Sequence, residues 1–297
     1  MHRRYRWRLK ERELLLGDRT LILGVLNVTP DSFSDGGQYA DPDRAFARAI
    51  ELEDQGADIL DIGAESTRPG SPRISEGEEL RRLIPVLKRL RGKLTIPISV
   101  DTYKSGVAEK ALEHGAEIIN DPTGILLDAQ LPKVVTKYDA GLIVNHMRGT
   151  PETWARLPPL KDVMRSVITD LETALHRAHQ AGVEKQRIVL DPGLGFGKRG
   201  DQNCEIIAQL EQIRALDLPI AVGASRKSFL RKEHSEETEF ATAAAVTACV
   251  LHGAHLVRVH NVKAMRAVVE VADAIRQATA ERQTEPPITQ VRWQRGQ

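Results

Sequence analysis

Eight short apolar runs, each followed by a longer amphipathic segment, constrain the fold of this chain more than any other feature of its sequence. The runs are rich in Val, Ile and Leu, and they lie at 21–27, 57–63, 96–101, 116–121, 141–146, 187–193, 218–225 and 254–260. Near-continuous apolar runs are typical of strands that are buried on both faces, as in parallel sheets covered by helices. Two of the amphipathic segments reach Gly92 and Gly115, and glycine often follows the end of a helix. The sequence therefore predicts alternating strands and helices.

The number of these repeats favours closure of the sheet. Eight successive strand–helix units predict a (β/α)8 barrel, also called a TIM barrel. An open doubly wound sheet remains the alternative, because the repeats do not themselves prove closure. The barrel should occupy 21–280, after an N-terminal β-hairpin at 1–20 with its turn at Gly17 and Asp18, and before a polar, poorly ordered tail at 281–297.

The composition of the 297 residues excludes several classes of function. The formal net charge is only +1, so no global field would attract nucleic acid or a membrane. The two cysteines, Cys204 and Cys249, form no CxxC motif, which argues against a disulfide framework or a cysteine zinc site and fits a reducing cytoplasm. The basic N-terminus lacks the apolar region of a secretory signal, and no run is long enough to span a membrane. We expect a soluble cytoplasmic protein that binds small molecules.

Polar residues follow nearly every apolar run, which places them on the rim where barrels of this class carry their active sites. Taken singly, each could be a helix cap or a turn former, but their coincidence on one rim indicates a site. The rim residues that accept hydrogen bonds are Asp101, Asn120 and Asp191, and they suit a flat ligand with N–H donors. The cationic rim residues are Arg68, Arg258 and His260, and they suit a phosphate or diphosphate. The rim is therefore predicted to bind a polar heterocycle that carries an anionic group.

Three further features refine this prediction. Lys227 lies between the two groups and could bond a ring atom, although a Schiff-base nucleophile is its rival role. The segment DPGLGFGK at 191–198 matches neither nucleotide-loop pattern, and its glycines favour a tight turn that brings Phe196 against a flat ligand. The sequence contains no HExxH motif, so it gives no indication of a zinc site. Mg²⁺ is plausible, because it prefers oxygen ligands and typically arrives on a diphosphate, which leaves Asn27 as a possible protein ligand.

Seven motifs together resemble those of the dihydropteroate synthases, the folate-pathway enzymes that sulfonamides inhibit. In chain order they are LNVTPDSFSDGG, GAESTRPG, SVDT, IIND, LDPGLGFGK, GASRKS and RVH. The resemblance extends from about Leu21 to about Ala274. It implies the condensation of 6-hydroxymethyl-7,8-dihydropterin diphosphate with 4-aminobenzoate, giving 7,8-dihydropteroate and diphosphate. It also implies Mg²⁺ as cofactor and a homodimer formed through the later helices.

The resemblance assigns these residues to four roles. The pterin contacts are Asp101, Asn120, Asp191, Phe196, Lys227 and Arg258. The diphosphate contacts are Asn27, Arg68, Arg258 and His260, with Asn27 also the metal ligand. The 4-aminobenzoate contacts are Phe33, Thr67, Pro69, Lys227 and Ser228. The catalytic group is Asp101, Lys227, Arg258 and His260.

Four residues depart from the pattern usual in that family. Asn145 stands where Met or Leu is usual, which could alter pterin affinity. Pro122 and Thr123 replace a common Val or Ile followed by Ser, which could change the shape of a pocket wall. Asn261 replaces a common Asp, outside the assigned roles.

Two other functions stay open at this point. A pterin-binding methyltransferase of the same superfamily, which moves a methyl group from methyltetrahydrofolate to a corrinoid, would share the Asp and Asn contacts. It has no need of Arg68, Arg258 and His260 as a diphosphate pocket, so their presence argues against it. A barrel that binds a pterin without turnover, or has a purely structural role, is the third possibility. Retention of the LNVTPDSFSDGG and GAESTRPG loops and of the predicted anion pocket argues against it.

Overall fold

The computed structural model describes residues 3–29, 41–66 and 71–284, which contain ten strands and eight α-helices. The strands are β1 (Tyr5–Arg8), β2 (Glu13–Leu16), β3 (Leu21–Asn27), β4 (Ile59–Gly63), β5 (Ile98–Asp101), β6 (Ile118–Asp121), β7 (Gly141–Asn145), β8 (Ile188–Asp191), β9 (Ala221–Val222) and β10 (Leu256–Val259). The helices are α1 (Pro42–Asp54), α2 (Glu76–Leu90), α3 (Ser105–Glu113), α4 (Leu131–Lys137), α5 (Val163–Gln180), α6 (Gly200–Ala208), α7 (Ser235–Leu251) and α8 (Val262–Thr284). Every predicted apolar run contains one of the strands from β3 to β10.

The eight strands from β3 to β10 form one parallel sheet in the order β8-β7-β6-β5-β4-β3-β10-β9. Its two ends meet, because Leu190 of β8 forms a parallel bridge with Ile220, just before β9. The Leu190 amide also donates to the Pro219 carbonyl at 2.9 Å. The predicted TIM barrel is therefore confirmed, and the open doubly wound sheet is excluded.

The barrel interior changes from apolar to polar along the strands. Its lower layer packs tightly and consists of Leu21, Leu23, Ile59, Ile118, Ile143, Val189, Ala221 and Leu256. Residues two apart on a strand face the same side, so the next inward positions lie directly above this layer. Those positions are Val25, Asp61, Asn120, Asn145, Asp191, Gly223 and Arg258, most of them polar. The polar rim predicted from sequence is thus the upper layer of the same barrel interior.

A β-hairpin made of β1 and β2 closes the amino-terminal end of the barrel. Trp7 is only 1% exposed, and it packs with Leu9 and Leu16 against the lower layer. The Trp7 indole nitrogen donates to the Arg187 carbonyl at 2.8 Å, which satisfies its one polar group. A Cβ at Gly141, the first residue of β7, would lie 2.5 Å from Leu9 Cδ2, so this position has no room for a side chain. The hairpin therefore fills an end that would otherwise expose apolar surface to water.

The predicted hairpin is confirmed, but its turn was placed wrongly. The strands pair with Trp7 opposite Leu14, and the chain reverses between Leu9 and Arg12, where the Leu9 amide donates to the Arg12 carbonyl at 2.9 Å. Gly17 lies after the hairpin, with a φ of +114°, and its hypothetical Cβ would be 2.6 Å from the Arg3 carbonyl oxygen. Gly17 and Asp18 therefore join the hairpin to β3, and this bend carries the same Gly-containing signal as a turn.

The helices form the outer layer, and the last one extends past the predicted boundary. α8 ends at Thr284, whereas the tail was predicted to begin at 281. The rest of that tail, 285–297, lies outside the described residues. Within the described ranges, none of the helices has the length and apolar character needed to cross a membrane.

Trp7→Ala should lower the free energy of unfolding by about 3–5 kcal/mol, because it opens a cavity beneath the barrel and leaves the Arg187 carbonyl without its hydrogen-bond donor. Leu15→Ala is the matched control, since Leu15 lies on the same hairpin but is 62% exposed. Its effect should stay within about 0.5 kcal/mol. Urea denaturation at pH 7 measures both values. Equal changes for the two variants would contradict the role of Trp7 as a plug.

Candidate active site

A partly buried guanidinium joins three strands at the upper end of the barrel. Arg258 of β10 donates through Nε to Asp61 Oδ2 of β4 at 2.6 Å and through Nη2 to Asp101 Oδ2 of β5 at 2.8 Å. Asn120 of β6 donates its Nδ2 to the same Asp61 oxygen at 3.3 Å. Burial alone would lower the pKa of Arg258, but the two carboxylates raise it above its ordinary value. Arg258 is therefore a permanent cation shared between two acids.

Asp61 is a site residue that the sequence prediction left without a role. It is fully buried, and its second oxygen, Oδ1, has no hydrogen-bond partner among the described residues. A buried carboxylate oxygen without a partner is costly, so it indicates a place for a water molecule or a ligand group. The signal that could have identified Asp61 is its position two residues after Ile59, in a strand, Ile59–Gly63, that is otherwise apolar.

The Asp101 carboxyl lies beside this group and titrates near neutrality. Burial raises its pKa to about 7, and the nearby Asp61 and Glu79 carboxylates also raise it, against the opposing effect of Arg258 and Lys227. Two carboxylates that share one guanidinium leave one negative charge uncompensated. A ligand that donates N–H groups to Asp101 would therefore stabilise its ionised form.

Asp191, Phe196 and Lys227 form the second part of the site, contributed by the segments that follow β8 and β9. The Gly193 amide donates to Asp191 Oδ1 at 2.7 Å, and burial raises the pKa of this carboxyl above its usual range. Lys227 Nζ lies 4.3 Å from the centre of the Phe196 ring. Burial lowers the pKa of Lys227 to about 8, and Arg258 lowers it further, while Asp191 and Asp101 act in the opposite direction. The ammonium thus faces an aromatic ring and two acids.

Two nearby residues complete this part of the site. Trp154 packs its ring edge-on against Phe196 at a centroid distance of 5.5 Å, on the side of the loop after β7. No sequence motif marks Trp154, because its contact depends on the path of that loop. Ser228 follows Lys227 directly and begins a short 3₁₀ turn, Ser228–Leu230, with its side chain exposed.

Asn27 and His260 occupy the ends of β3 and β10, which are neighbours in the sheet. Gly63 opens the space beside Asn27, since a Cβ there would be 3.6 Å from Asn27 Oδ1 and 3.7 Å from Asp101 Cβ. His260 is oriented by Ser225, whose Oγ lies 2.9 Å from His260 Nδ1. Both side chains are partly exposed at the barrel mouth, where an anionic group could reach them.

Four of the predicted residues, Phe33, Thr67, Arg68 and Pro69, lie outside the described residues. The loop that contains Thr67, Arg68 and Pro69 begins at a pair of described ion pairs. Lys104 forms ion pairs with Glu65, at the start of that loop, and with Glu79 of α2, whose Oε2 is 2.5 Å away. Glu79 is 1% exposed, so this clamp is part of the packed structure.

The departures from the family pattern have structural roles in neighbouring loops. Asn145 donates its Nδ2 to the Pro122 carbonyl at 2.9 Å, so its amide holds the loop after β6. Thr123 donates both its amide and its hydroxyl to Asp121 Oδ1, at 2.8 Å and 2.7 Å.

His146 turns away from the mouth, because its Nε2 lies 3.0 Å from Asp170 Oδ2 on α5.

The described residues contain no group of three or more His, Cys, Asp or Glu side chains that could hold a metal ion. Asn27 Oδ1 is a single oxygen donor at the mouth, beside the gap left by Gly63. Such a donor suits a cation that keeps most of its ligands as water and ligand oxygens, as Mg²⁺ does.

Comparisons with known proteins show which family this chain resembles in sequence and fold. The family described as pterin binding enzyme matches residues 23–260. A dihydropteroate synthase from Clostridium beijerinckii is 40% identical over 272 residues, which cover 90% of this chain and 98% of that protein. The structure of a Xanthomonas albilineans dihydropteroate synthase with 4-aminobenzoic acid is 36% identical, covers 96% of this chain and 100% of its own, and superposes with a TM-score of 0.85. The structure of the X. albilineans enzyme with 7,8-dihydropteroate is 34% identical, covers 95% and 100%, and has a TM-score of 0.81.

Proposed function

This chain belongs to the dihydropteroate synthase family of pterin-binding enzymes, and we propose that it condenses 6-hydroxymethyl-7,8-dihydropterin diphosphate with 4-aminobenzoate. In this transfer the bond between the pterin methylene carbon and the diphosphate oxygen breaks. A bond from the aminobenzoate nitrogen to that carbon forms, and the amine loses one proton. The products are 7,8-dihydropteroate and diphosphate.

One observation carries the proposal, namely that acceptors suited to a pterin ring and cations suited to an anion line a single barrel mouth, and that Arg258 is hydrogen-bonded to Asp101 where the two sets meet. Asp101, Asn120 and Asp191 come from β5, β6 and β8 and offer acceptors to the ring N–H groups of a pterin. Arg258 and His260 lie at the end of β10, beside β3, and offer positive charge to the diphosphate. A pterin ester presents these two kinds of group at its two ends.

The charges in this mouth suit departure of the diphosphate before the amine attacks. As the carbon–oxygen bond breaks, positive charge develops on the pterin and negative charge on the leaving group. The negative charge of Asp101, which shares the Arg258 guanidinium with Asp61, favours the positive ring. The residues assigned to the leaving anion are His260, Arg258 and Arg68. Groups held in place before the reaction stabilise such charges at little reorganisation cost.

The aminobenzoate is proposed to bind on the side of Lys227 and Ser228. The Lys227 ammonium lies over the Phe196 ring, and the next residue in the chain is the exposed Ser228. Together these two residues would offer a cation and a hydroxyl to the benzoate carboxylate. Phe33, Thr67 and Pro69 complete this pocket by resemblance to the family. Sulfonamides would compete there, because they carry the same aniline ring.

Mg²⁺ is the proposed cofactor, with Asn27 as its protein ligand. When bound with the diphosphate, the ion would neutralise part of the negative charge of the leaving group. Asn27 offers the amide oxygen for this role, and the absence of a side chain at Gly63 leaves space next to it. The cation would thus arrive with the substrate instead of residing in a protein cage.

A homodimer through α7 and α8 is also proposed. Of the seven large apolar side chains that are exposed in the described part of the chain, four lie on these two helices, which pack together. They are Phe240 (64% exposed), Leu251 (41%), Val271 (62%) and Ile275 (48%). Exposed apolar side chains on two packed helices favour burial against a partner, and a second copy presents the same surface.

We propose the cytoplasm as the location, since both cysteines are free thiols. Fractionation of the source cells would check this, because recovery of the protein outside the cytosolic fraction would contradict it.

Incubation of the wild-type chain with the dihydropterin diphosphate ester and Mg²⁺ tests the reaction. We expect dihydropteroate and diphosphate in equal amounts when 4-aminobenzoate is present, detected by chromatography and a diphosphate assay. Binding of the ester without any product would sink the proposal and favour a pterin-binding protein. Methyl transfer from methyltetrahydrofolate to a corrinoid would favour the methyltransferase instead.

His260→Gln sharpens the same test, because it removes the cation assigned to the diphosphate. We expect kcat/KM for the ester to fall by roughly 100-fold, while affinity for 6-hydroxymethyl-7,8-dihydropterin itself stays unchanged. His179→Gln, on the exposed face of α5, is the control. A similar loss of affinity for both pterins would show that His260 does not read the diphosphate.

Asn27→Ala should raise the Mg²⁺ concentration at which diphosphate binding is half-maximal by about tenfold, or about 1.4 kcal/mol, since one oxygen ligand is lost. Calorimetric titration with diphosphate at graded Mg²⁺ measures this without turnover. Asn261→Ala is the control, because the Asn261 carboxamide instead accepts the Ala264 amide at the start of α8. Identical Mg²⁺ dependence in wild type and Asn27→Ala would remove Asn27 as a ligand.

Phe240→Glu should convert the proposed dimer to a monomer at micromolar concentration, because a charge would be buried in an apolar interface. Sedimentation velocity measures the change, with Leu15→Glu as the control at an equally exposed apolar site on the hairpin. A wild-type chain that sediments only as a monomer would contradict the dimer.

A further inference from the structure

Lys198, the last residue of the DPGLGFGK segment, has a buried ammonium group to which the predicted site gives no role. The residue is only 8% exposed. Its Nζ donates to three backbone carbonyls, those of Gly193 at 2.6 Å, His146 at 3.1 Å and Phe196 at 3.3 Å. Three acceptors match the three N–H donors of an ammonium. All three partners are neutral, and burial lowers the pKa of this lysine well below its ordinary value, while the Asp191 carboxylate acts in the opposite direction.

The three carbonyls belong to two different loops. His146 follows β7, whereas Gly193 and Phe196 lie in the turn after β8. The same loops meet at Asp191, whose carbonyl accepts the His146 amide at 2.8 Å and whose carboxylate accepts the Gly193 amide at 2.7 Å. Asp191 therefore binds the amide of Gly193, and Lys198 binds its carbonyl.

The turn after β8 needs such support because its own backbone is permissive. Gly193, Gly195 and Gly197 all adopt positive φ angles, of +67°, +82° and +72°. Glycines lose more conformational freedom on ordering than other residues, so a turn with three of them is not stiff by itself. A Cβ at Gly193 would lie 1.9 Å from the His146 carbonyl oxygen, so the close approach of the loops also requires glycine here.

What this turn carries is the aromatic wall of the site. Phe196 lies between the edge of Trp154 and the Lys227 ammonium, at 5.5 Å and 4.3 Å. The charge of Lys198 also reaches Asp191. Burial raises the pKa of that carboxyl, and the Gly193 amide together with the cations Lys227, Lys198 and Arg258 opposes the increase.

We propose that Lys198 is a positioning residue for the pterin substrate. Its ammonium fastens the turn after β8 to the loop after β7, which fixes Phe196 as a wall of the pterin pocket and Asp191 as an acceptor. This inference rests on the proposed function, since it concerns the same pocket.

Lys198→Met tests the proposal, because Met has a similar length and lacks both the charge and the donors. We expect the KM for the dihydropterin diphosphate ester to rise roughly 10- to 100-fold with a smaller change in kcat. The acid limb of the kcat/KM profile should move to higher pH, since the pKa of Asp191 rises when a neighbouring cation is lost. A lysine that only stabilised the fold would move neither quantity.

A double-mutant cycle with Phe196→Ala shows whether Lys198 acts through the aromatic wall. The double variant should be little worse than Phe196→Ala alone, because interacting residues are not additive. Lys93→Met, at an exposed lysine after α2, is the matched control and should behave as wild type. Additive losses, or an unchanged KM and acid limb in folded Lys198→Met, would overturn the proposal.

Two further measurements keep the outcomes separate. If Lys198→Met does not fold, Lys198→Gln is measured in its place, and failure of both to fold would overturn the positioning role by making Lys198 a folding requirement. If the wild-type chain shows no turnover, the proposed function fails. Calorimetric affinity for 6-hydroxymethyl-7,8-dihydropterin then compares wild type with Lys198→Met, and equal affinities would reject the positioning role as well.

Discussion

The structure depends above all on one cation, the partly buried Arg258 guanidinium, shared by Asp61 and Asp101 at the upper end of the barrel. A charge in this position would be costly without partners, and removal of one partner from a buried pair typically costs about 3–5 kcal/mol. The interaction links β10, β4 and β5, which are not all neighbours in the sheet. It therefore fixes where the apolar interior of the barrel ends and the polar mouth begins.

The same interaction sets the electrostatic character of the site. Two acids share one guanidinium, so this group carries an excess of negative charge, and burial together with the neighbouring Asp61 carboxylate raises the pKa of Asp101 to about 7. The lower layer of the barrel interior cannot supply this charge, because its residues are apolar. A ligand with several N–H donors satisfies the excess, and a pterin ring that becomes positive during the reaction satisfies it further.

The sequence predicted the features that repeat and missed those that depend on contacts between distant loops. The eight apolar runs predicted the barrel, and the polar residue at the end of each run predicted the mouth, because both follow from the period of a strand. The hairpin turn was misplaced, since Gly17 gives the same signal in a connecting bend. Trp154 and the Asn145–Pro122 bond had no local signal, whereas Asp61 stood out as the one acid in an apolar strand but was given no role. The roles given to Phe33, Thr67, Arg68 and Pro69 stay predictions.

The two ends of the barrel are stabilised by different physical means, and this separates stability from activity. At the amino-terminal end, the hairpin side chains Trp7, Leu9 and Leu16 pack against apolar residues, so that end is held by burial. At the mouth, the loops cannot bury apolar surface without filling the pocket. Side chains that bind backbone groups hold them instead: Asp121 and Asn145 for the loop after β6, and Asp191 and Lys198 for the turn after β8. Each of these side chains costs desolvation that the fold alone does not require, so their presence is explained by a pocket that must stay both open and rigid.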